Sequence, residues 1–288
     1  MRYEIITNPV SGKMSADQKR SALARAAKIL GAEIHGLDTH TADDFVRCAR
    51  ELTRRCDVLV AAGGDGTLSD VINAIDTAQT PIAYLPLGTG NAVRHAFNYK
   101  GGLGDIATRI REGKILEYDL IQCDEKRFAF TASVGFEGTV IQLRDSYLAE
   151  GITGLRAYLK ALFEAYFRVY KRTAANITVD GETLEVKNLL SLIVVKQPYY
   201  GYGMKVVPRA RFDDQQLHVL SVNSGLFVSL VGAAAAFTIG NRIGQYLSGR
   251  HVSVTLRQPL SVQIDGNPGW VSETFAFNVL PKKLKIKC

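Results

Sequence analysis

Three glycine-rich turns carry residues that could bind phosphate groups. Each follows an apolar run, and they read Asn8-Pro9-Val10-Ser11-Gly12, Gly63-Gly64-Asp65-Gly66-Thr67 and Leu87-Gly88-Thr89-Gly90-Asn91. Glycines let backbone N–H groups approach phosphate oxygens closely, and a helix that begins there adds the positive end of its dipole. Taken singly, each turn is equally typical of an ordinary tight turn after a strand. Together they indicate a nucleotide site.

Asp65 is the acid inside the second of these turns. A carboxylate beside phosphates raises the electrostatic energy unless it serves a metal ion or a proton. We therefore expect Asp65 to be functional. The turns match neither the Walker A spacing nor the dinucleotide fingerprint, so the site should belong to another class of nucleotide-binding protein.

The first part of the chain alternates short apolar runs with longer amphipathic stretches, which predicts βα units on a largely parallel sheet. The predicted strands are Tyr3–Thr7, Glu33–Leu37, Val58–Ala62 and Ile82–Leu85, and the predicted helices are Ala16–Ile29, Ala42–Thr53 and Leu68–Ile75. The carboxyl ends of such strands meet at one edge of the sheet, where open α/β sheets bind ligands. The three glycine turns should therefore converge.

After about Gly113 the pattern changes to alternating strand-like runs, which predicts an antiparallel sandwich. The predicted strands are Ile115–Cys123, Arg127–Val134, Leu189–Val195, Leu217–Val222, Val252–Leu256 and Phe275–Val279. Two helical patterns interrupt them. Leu155–Lys171 is rich in aromatic and basic residues, which favours either a core helix with solvated bases or a lipid-facing anchor. Leu226–Ile243 is apolar and is predicted to be buried.

The composition and charge limit the classes of function that the protein can have. The chain has 288 residues and a formal net charge of +7, so two domains and an attraction to polyanions are expected. We find no zinc-finger or other nucleic-acid signature, so no nucleic acid is expected as a partner. No window holds the roughly 20 apolar residues that a spanning helix needs, and no signal peptide is evident, which predicts a cytoplasmic protein.

The motifs together resemble the diacylglycerol kinase catalytic-domain family, which includes bacterial lipid kinases and the sphingosine and ceramide kinases. The matching segments are Asn8-Pro9 with Ser11-Gly12, Gly63 to Asp70, Pro86 to Asn91, Gly135-Phe136 with Gly138, Gly203-Met204, Pro208, Ala210, Asp213-Asp214 with Leu217, and Gln263 to Gly266. The resemblance implies an α/β nucleotide-binding domain similar to NAD kinases and phosphofructokinases at residues 1–122. An antiparallel β-sandwich-like lipid-binding domain would follow at residues 123–288.

The resemblance also implies ATP and Mg²⁺ as cofactors and phosphorylation of the hydroxyl of diacylglycerol or a related lipid alcohol. The lipid would be met at an anionic membrane surface, and the chain could form a homodimer. Mg²⁺ would bridge the phosphates near Asp65, and Asp70 stands where the family usually has Glu. The residues expected at the nucleotide are Asn8, Ser11, Gly12, Thr39, Gly63, Gly64, Asp65, Gly66, Thr67, Asp70, Gly88, Thr89 and Asn91.

A structural metal is the next implied feature. Bacterial members hold it at the segment matching Arg211, Asp214 and Gln216, through one carboxylate and backbone carbonyls. Their pattern there is Asp-Gly-Leu-Leu-Asp, whereas this chain reads Asp214-Gln215-Gln216-Leu217-His218. The glycine and the final acid are missing, so a metal site and a solvated acidic turn before a strand are both open.

The catalytic base is the most serious departure from the family pattern. Bacterial members have Asp-Gly-Glu where this chain has Asp265-Gly266-Asn267, and Asn cannot accept a proton at neutral pH. Asp65 could act as base, or Asp265 could take over. Otherwise the protein is a weak kinase or a pseudokinase that only binds lipid or nucleotide. A small-molecule kinase similar to NAD kinase is a further alternative.

Overall fold

The structure is a computed structural model that describes residues 1–12, 14–88, 90–152 and 154–288. The strands are β1 (Tyr3–Thr7), β2 (Ile34–His35), β3 (Val58–Gly63), β4 (Ile82–Pro86), β5 (Ile115–Cys123), β6 (Arg127–Ala129), β7 (Thr131–Gly135), β8 (Thr173–Val179), β9 (Glu182–Leu189), β10 (Ser191–Val195), β11 (Tyr199–Tyr200), β12 (Met204–Lys205), β13 (Leu217–Val222), β14 (Gln245–Gly249), β15 (His251–Ile264) and β16 (Asn267–Lys287). The α-helices are α1 (Ala16–Leu30), α2 (Ala42–Thr53), α3 (Asp65–Ala74), α4 (Ala92–Ala96), α5 (Leu103–Glu112), α6 (Phe136–Ala149), α7 (Leu155–Glu164) and α8 (Leu226–Ala236).

The chain divides into two compact units. The first comprises Met1–Leu120, Tyr199–Lys205 and Leu280–Cys288, and the second comprises Ile121–Pro198 and Val206–Val279. The first unit is α/β and the second consists mostly of antiparallel strands, so the predicted fold class is confirmed. The predicted division into residues 1–122 and 123–288 treats each unit as one continuous segment and stays a prediction.

The first unit is built on parallel strands in the order β4-β3-β1-β2. The apolar side chains of β1, β3 and β4 are buried because helices cover them, as continuous Val/Ile/Leu/Ala runs require in a parallel sheet. Helix α3 begins at Asp65, three positions before the predicted start at Leu68. Gly64 is the extended N-cap residue, so the helix begins inside the glycine motif and its first turn comprises Asp65, Gly66 and Thr67.

The second unit contains antiparallel strands in the order β14-β13-β10-β7-β15-β16, with the β8-β9 hairpin paired to β15. Alternating apolar residues from these strands form its core, including Val134, Leu192, Val219, Val254 and Phe277. The predicted strand Arg127–Val134 is two strands interrupted at Phe130. Helices α5 and α6 were not predicted.

Helix α8 corrects one sequence prediction. Its uncharged composition predicted burial, yet only Gly232 and Ala236 are buried, while the Phe227 side chain is 79% exposed. The prediction was wrong because burial depends on what covers a helix, and a composition does not reveal that. Within the part of the chain that the structure describes, no helix is long and apolar enough to cross a membrane.

Candidate functional site

The three glycine turns begin at the same edge of the first unit's sheet. Thr7 at the end of β1 pairs with Ala62 of β3, and Gly63 pairs with Pro86 at the end of β4. Because the strands run parallel, the segments after Thr7, Gly63 and Pro86 all leave the sheet at its carboxyl edge. The predicted convergence of these turns is confirmed, although their binding of phosphates stays a prediction.

Two of the turns touch through their backbones. The N–H groups of Leu87 and Gly88 donate to the Gly63 carbonyl at 2.8 and 3.2 Å. A Cβ atom on Gly88 would lie 2.5 Å from the Gly64 Cα atom, and one on Gly63 would lie 2.4 Å from Thr67 Oγ1. At such distances the neighbouring atoms would have to move to admit a side chain. Gly88 is therefore required by the contact between the turns, and Gly63 by the position of the Thr67 side chain at the start of α3.

Asp65 joins the second turn to the third. One oxygen of its carboxylate accepts from the Ala92 N–H at 2.8 Å, and the other accepts from the Val93 N–H at 3.1 Å. These N–H groups open helix α4 and have no acceptor within the helix. Burial raises the pKa of the Asp65 carboxyl above its ordinary value, and the two amide hydrogen bonds oppose that shift. The acid is thus held by backbone dipoles and remains partly exposed.

Asn91 completes the link between the turns. It adopts a left-handed conformation with φ 42°, and its amide donates to the Gly88 carbonyl. The buried Tyr84 hydroxyl donates to Asn91 Oδ1 at 3.2 Å. Asn tolerates this backbone conformation better than most residues. The structure therefore gives Asn91 a role in shaping the turn, in addition to the predicted role at the nucleotide.

The first turn is held by a buried lysine that the sequence did not single out. Lys19 is 2% exposed, and its ammonium donates to the carbonyls of Asn8 at 2.7 Å and Pro9 at 2.8 Å. Burial lowers the pKa of Lys19. The signal was present, because Lys19 occupies the same helical face as the buried Leu23, at i and i+4 on α1. A charge on that face needs buried acceptors.

The remaining predicted nucleotide residues take different positions. Ser11 Oγ donates to the Asn8 carbonyl at 2.9 Å, and Gly12 has φ 72° with open space around it. Thr39 Oγ1 donates to the Gly36 carbonyl at 2.7 Å after β2. Asp70 lies on α3, beyond the first turn of the helix. Thr89 lies outside the described residues.

A segment from later in the chain returns to the first unit. Tyr199–Lys205 forms the β11-β12 pair and contacts the third glycine turn, where the Tyr202 N–H donates to the Gly90 carbonyl at 2.8 Å. The rings of Tyr199 and His95 lie 5.8 Å apart. Local sequence patterns do not assign this segment to the first unit, since nothing local encodes that long-range contact.

Asp265-Gly266 is a tight hairpin turn in the second unit. Ile264 pairs with Asn267, and the two residues between them have φ 48° and 80°, as a type I′ turn requires. Asp265 Oδ1 accepts from the N–H groups of Phe130 at 3.1 Å and Thr131 at 2.8 Å, and from the Thr131 hydroxyl at 3.2 Å. Asp265 therefore fastens the hairpin to the preceding strands.

Two further side chains hold this turn. Gln263 accepts from the Gly266 N–H at 2.8 Å and donates to Ser133 Oγ at 3.0 Å. Arg144 of α6 donates to the Gly266 carbonyl at 3.2 Å and to the Tyr158 hydroxyl at 2.7 Å. Asn267 is half-buried at the first position of β16. The catalytic roles of Asp265 and Asn267 stay predictions.

The predicted metal segment is occupied by side-chain interactions. Asp214 lies within hydrogen-bonding distance of Lys196 and of His218, and Lys196 also donates to the Gln216 carbonyl. The Arg211 N–H lies 3.2 Å from His218 Nε2. A lysine ammonium thus contacts the same carboxylate that was predicted to bind a metal ion.

Two family models match adjacent parts of the chain. The diacylglycerol kinase catalytic domain matches residues 2–123, and the YegS C-terminal NAD kinase beta sandwich-like domain matches residues 131–288. A curated relative, the diacylglycerol kinase of Staphylococcus saprophyticus, is 27% identical over 277 residues, which cover 93% of this chain and 89% of the relative.

Solved structures show the same fold. A crystal structure of a diacylglycerol kinase from Bacillus anthracis aligns with a TM-score of 0.71 at 16% identity, covering 99% of this chain and 96% of that chain. An NAD kinase from Archaeoglobus fulgidus, solved in complex with ATP, aligns with a TM-score of 0.54 at 13% identity, covering 100% of this chain and 94% of that chain. At these identities the likeness concerns the fold alone.

Proposed function

We propose, since the chain belongs to the diacylglycerol kinase catalytic-domain family, that it uses ATP to phosphorylate the hydroxyl of diacylglycerol or a related lipid alcohol. The kinase activity in this proposal is supported mainly by the contact between the Gly63 and Gly88 turns at the carboxyl edge of a parallel sheet. Edges of this kind bind phosphorylated ligands because strand ends and helix N-termini converge there.

The nucleotide phosphates would contact the first turn of α3. The N–H groups of Asp65, Gly66 and Thr67 have no acceptor within the helix, and the positive end of the helix dipole lies with them. Thr67 Oγ1 is buried and has no hydrogen-bond partner among the described residues, so a phosphate oxygen would supply one. Ser11 and Gly12 would approach the phosphates from the first turn.

MgATP would be the nucleotide substrate. Magnesium bound to nucleotides keeps several waters and phosphate oxygens as ligands and needs only one or two carboxylates from the protein. Each oxygen of Asp65 accepts one amide hydrogen bond and retains a second lone pair. Asp65 therefore fits a position beside the metal ion, where its charge would be offset by the amides of α4.

Asp65 is also the preferred catalytic residue in this proposal. Asp265 commits Oδ1 to three donors, and Asn267 has no basic group. Phosphoryl transfer depends mainly on positioning and electrostatic stabilisation, so a site without the family Glu can retain activity. Asp65 would direct MgATP and receive the proton of the lipid hydroxyl.

The lipid-binding part of the proposal is supported by the exposed side of α7 and of the π-helical turn that follows it at Ala165–Val169. Ala157, Ala161 and Ala165 are buried, whereas the Phe163 side chain is 61% exposed, with its ring 4.7 Å from that of Phe167. The segment thus buries alanines and exposes the two phenylalanines. Exposed Arg156, Lys160 and Arg168 accompany them, which is the chemistry of an interfacial anchor at an anionic surface.

Vesicle sedimentation tests the membrane association. We expect binding to anionic vesicles that weakens as salt is added, because the attraction of bases to anionic headgroups is screened. The double variant Phe163→Glu and Phe167→Glu should lower binding by about tenfold or more. Val271→Glu, an equally exposed apolar position on β16, is the control and should bind normally. Salt-independent binding to neutral vesicles would contradict this part of the proposal.

Radiolabel transfer from ATP to a panel of lipid alcohols, with NAD as a further acceptor, tests the function itself. Label on diacylglycerol or another lipid alcohol is the expected result, and label only on NAD would instead identify a small-molecule kinase.

Asn267 favours a pseudokinase as the second candidate. If the parent is slow, Asn267→Glu should raise the rate by roughly 10²–10⁴-fold, the usual contribution of a general base. Inactivity of both proteins on every acceptor would leave a binding protein.

A further inference from the structure

The second unit contains a buried cation of its own. Lys196, directly after β10, has a side chain that is 0% exposed, and its ammonium donates to Asp214 Oδ1 at 2.7 Å and to the Gln216 carbonyl at 2.7 Å. The Gln216 N–H also donates to Asp214 Oδ1, at 3.2 Å. One positive centre therefore fastens the segment before β13 to the end of β10.

The second oxygen of the same carboxylate is also engaged. His218 Nε2 lies 2.8 Å from Asp214 Oδ2, and His218 Nδ1 lies 2.7 Å from the Tyr246 hydroxyl. The acid is thus compensated on both sides by side chains of this chain.

A divalent cation does not fit these residues. Magnesium requires oxygen ligands at about 2.0–2.1 Å in octahedral geometry, and calcium requires six or more oxygens at about 2.3–2.6 Å. An ion that bound both Asp214 Oδ1 and the Gln216 carbonyl would have to occupy the space of the Lys196 ammonium. Two cations cannot share that space, because both the overlap and the repulsion of like charges are prohibitive.

The sequence changes agree with this geometry. Where bacterial family members have Gly and a final Asp, this chain has Gln215 and His218. Gln215 retains the left-handed backbone with φ 58° that a glycine would favour, so the turn keeps its shape. The final acid, which would add a negative ligand, is replaced by an imidazole that faces Asp214. The segment around the Lys196 ammonium therefore carries less negative charge than the family pattern would, and a single ammonium can balance it.

We propose that the Lys196 ammonium permanently supplies the positive charge that a structural metal ion was predicted to supply at Asp214 and Gln216, so that this unit folds without a divalent cation. The proposal concerns the stability of the second unit and is independent of the proposed kinase function. A lysine performs this role at any ambient metal concentration, whereas a bound ion would be lost to chelators.

Thermal unfolding of the nucleotide-free protein tests the proposal. The parent should show the same melting temperature in EDTA and in millimolar Mg²⁺ or Ca²⁺, and elemental analysis should find no bound divalent metal. Lys196→Met preserves the length of the side chain but leaves the partly buried Asp214 without its cation, so the melting temperature should fall by roughly 5–15 °C. Lys187→Met, at an exposed lysine of β9, is the control and should melt like the parent.

A second substitution separates charge from packing. In the Lys196→Met background, Asp214→Asn removes the uncompensated carboxylate and should recover part of the lost melting temperature. A lysine that acted only through packing would give no recovery, and that outcome would overturn the proposal. So would destabilisation of the parent by EDTA, or a stoichiometric metal ion in the parent. If Lys196→Met fails to fold, recovery of folded protein by the double variant and the EDTA comparison still decide the question.

Discussion

The dipeptide Asp-Gly occurs in both candidate segments, and the two units fold it in opposite ways. Asp65-Gly66 forms the first two residues of helix α3. Asp265-Gly266 instead forms the whole turn between β15 and β16, with positive φ at both residues. The flanking residues decide the outcome. A turn between two paired strands requires left-handed backbone, whereas Gly64 allows an extended N-cap from which a helix begins.

Each aspartate accepts hydrogen bonds from two consecutive backbone N–H groups. The two carboxylates differ in how these bonds are divided between their oxygens and in how exposed they are. Asp65 distributes the two amides of α4 over both oxygens and stays partly exposed. Asp265 is 6% exposed, and its Oδ1 alone accepts from three donors. The comparison favours the proposed ligand chemistry at Asp65 and a structural role for Asp265, and the catalytic roles of both residues stay predictions.

The largest effect is expected for Asp65→Asn. The amide preserves size and one acceptor for α4 but removes the charge beside MgATP and the basic group. We expect kcat to fall by about 10³-fold or more, while the Kd for MgATP changes by less than about tenfold. Transfer assays with titration calorimetry measure both, and Asp43→Asn on the exposed side of α2 is the charge-matched control. A fall in kcat below tenfold would remove Asp65 from its role.

Asp265→Gly should mainly reduce stability. Glycine tolerates φ 48°, so the substitution deletes the carboxylate without straining the turn. Loss of its hydrogen bonds to Phe130 and Thr131 should lower the free energy of unfolding by about 2–4 kcal/mol, measured by urea denaturation. Asp265→Asn keeps an acceptor and should lose only about 1 kcal/mol. If Asp265→Asn abolished turnover at unchanged stability, Asp265 would be a catalytic residue and the comparison would fail.

A smaller loss of stability than for Asp265→Gly is expected for Gly88→Ala, which tests the contact between the two nucleotide turns. The added Cβ atom would lie 2.5 Å from the Gly64 Cα atom, so the turns must separate. We expect about 1–3 kcal/mol of lost stability, together with weaker MgATP binding by calorimetry. Gly225→Ala has extended backbone and open space, and it should change neither property. Parental binding by Gly88→Ala would mean that the turns do not form the nucleotide site.

Several elements of the first unit could be predicted because their signals are local. Strand β1 and helix α2 have the predicted bounds, and the glycine turns were located from residue type and spacing. The start of α3 was predicted too late, because a helix that begins at glycines lacks the apolar periodicity used to find it. Lys19 was missed although its place on the apolar face of α1, four positions before Leu23, indicates burial, because that pattern does not show which carbonyls the ammonium meets after folding.

The second unit shows a similar division between local and long-range information. Strand β13 was predicted with its observed bounds, whereas α6 was missed and α8 was wrongly predicted to be buried. The Asp-Gly-Asn segment was recognised as a motif, but its type I′ turn and its contact with Phe130 were not foreseen. That contact joins residues 135 positions apart.

The sequence by itself determined the family, the alternation of strands and helices in the first unit, the change to antiparallel strands after it, and the positions of the glycine turns. These follow from residue types and short spacings, which act through local backbone preference and hydrophobic period. Only the tertiary structure decided which aspartate is shielded, that Tyr199–Lys205 joins the first unit, and that Lys196 reaches Asp214. Burial and charge compensation are properties of neighbours in space, and those neighbours come from distant parts of the chain.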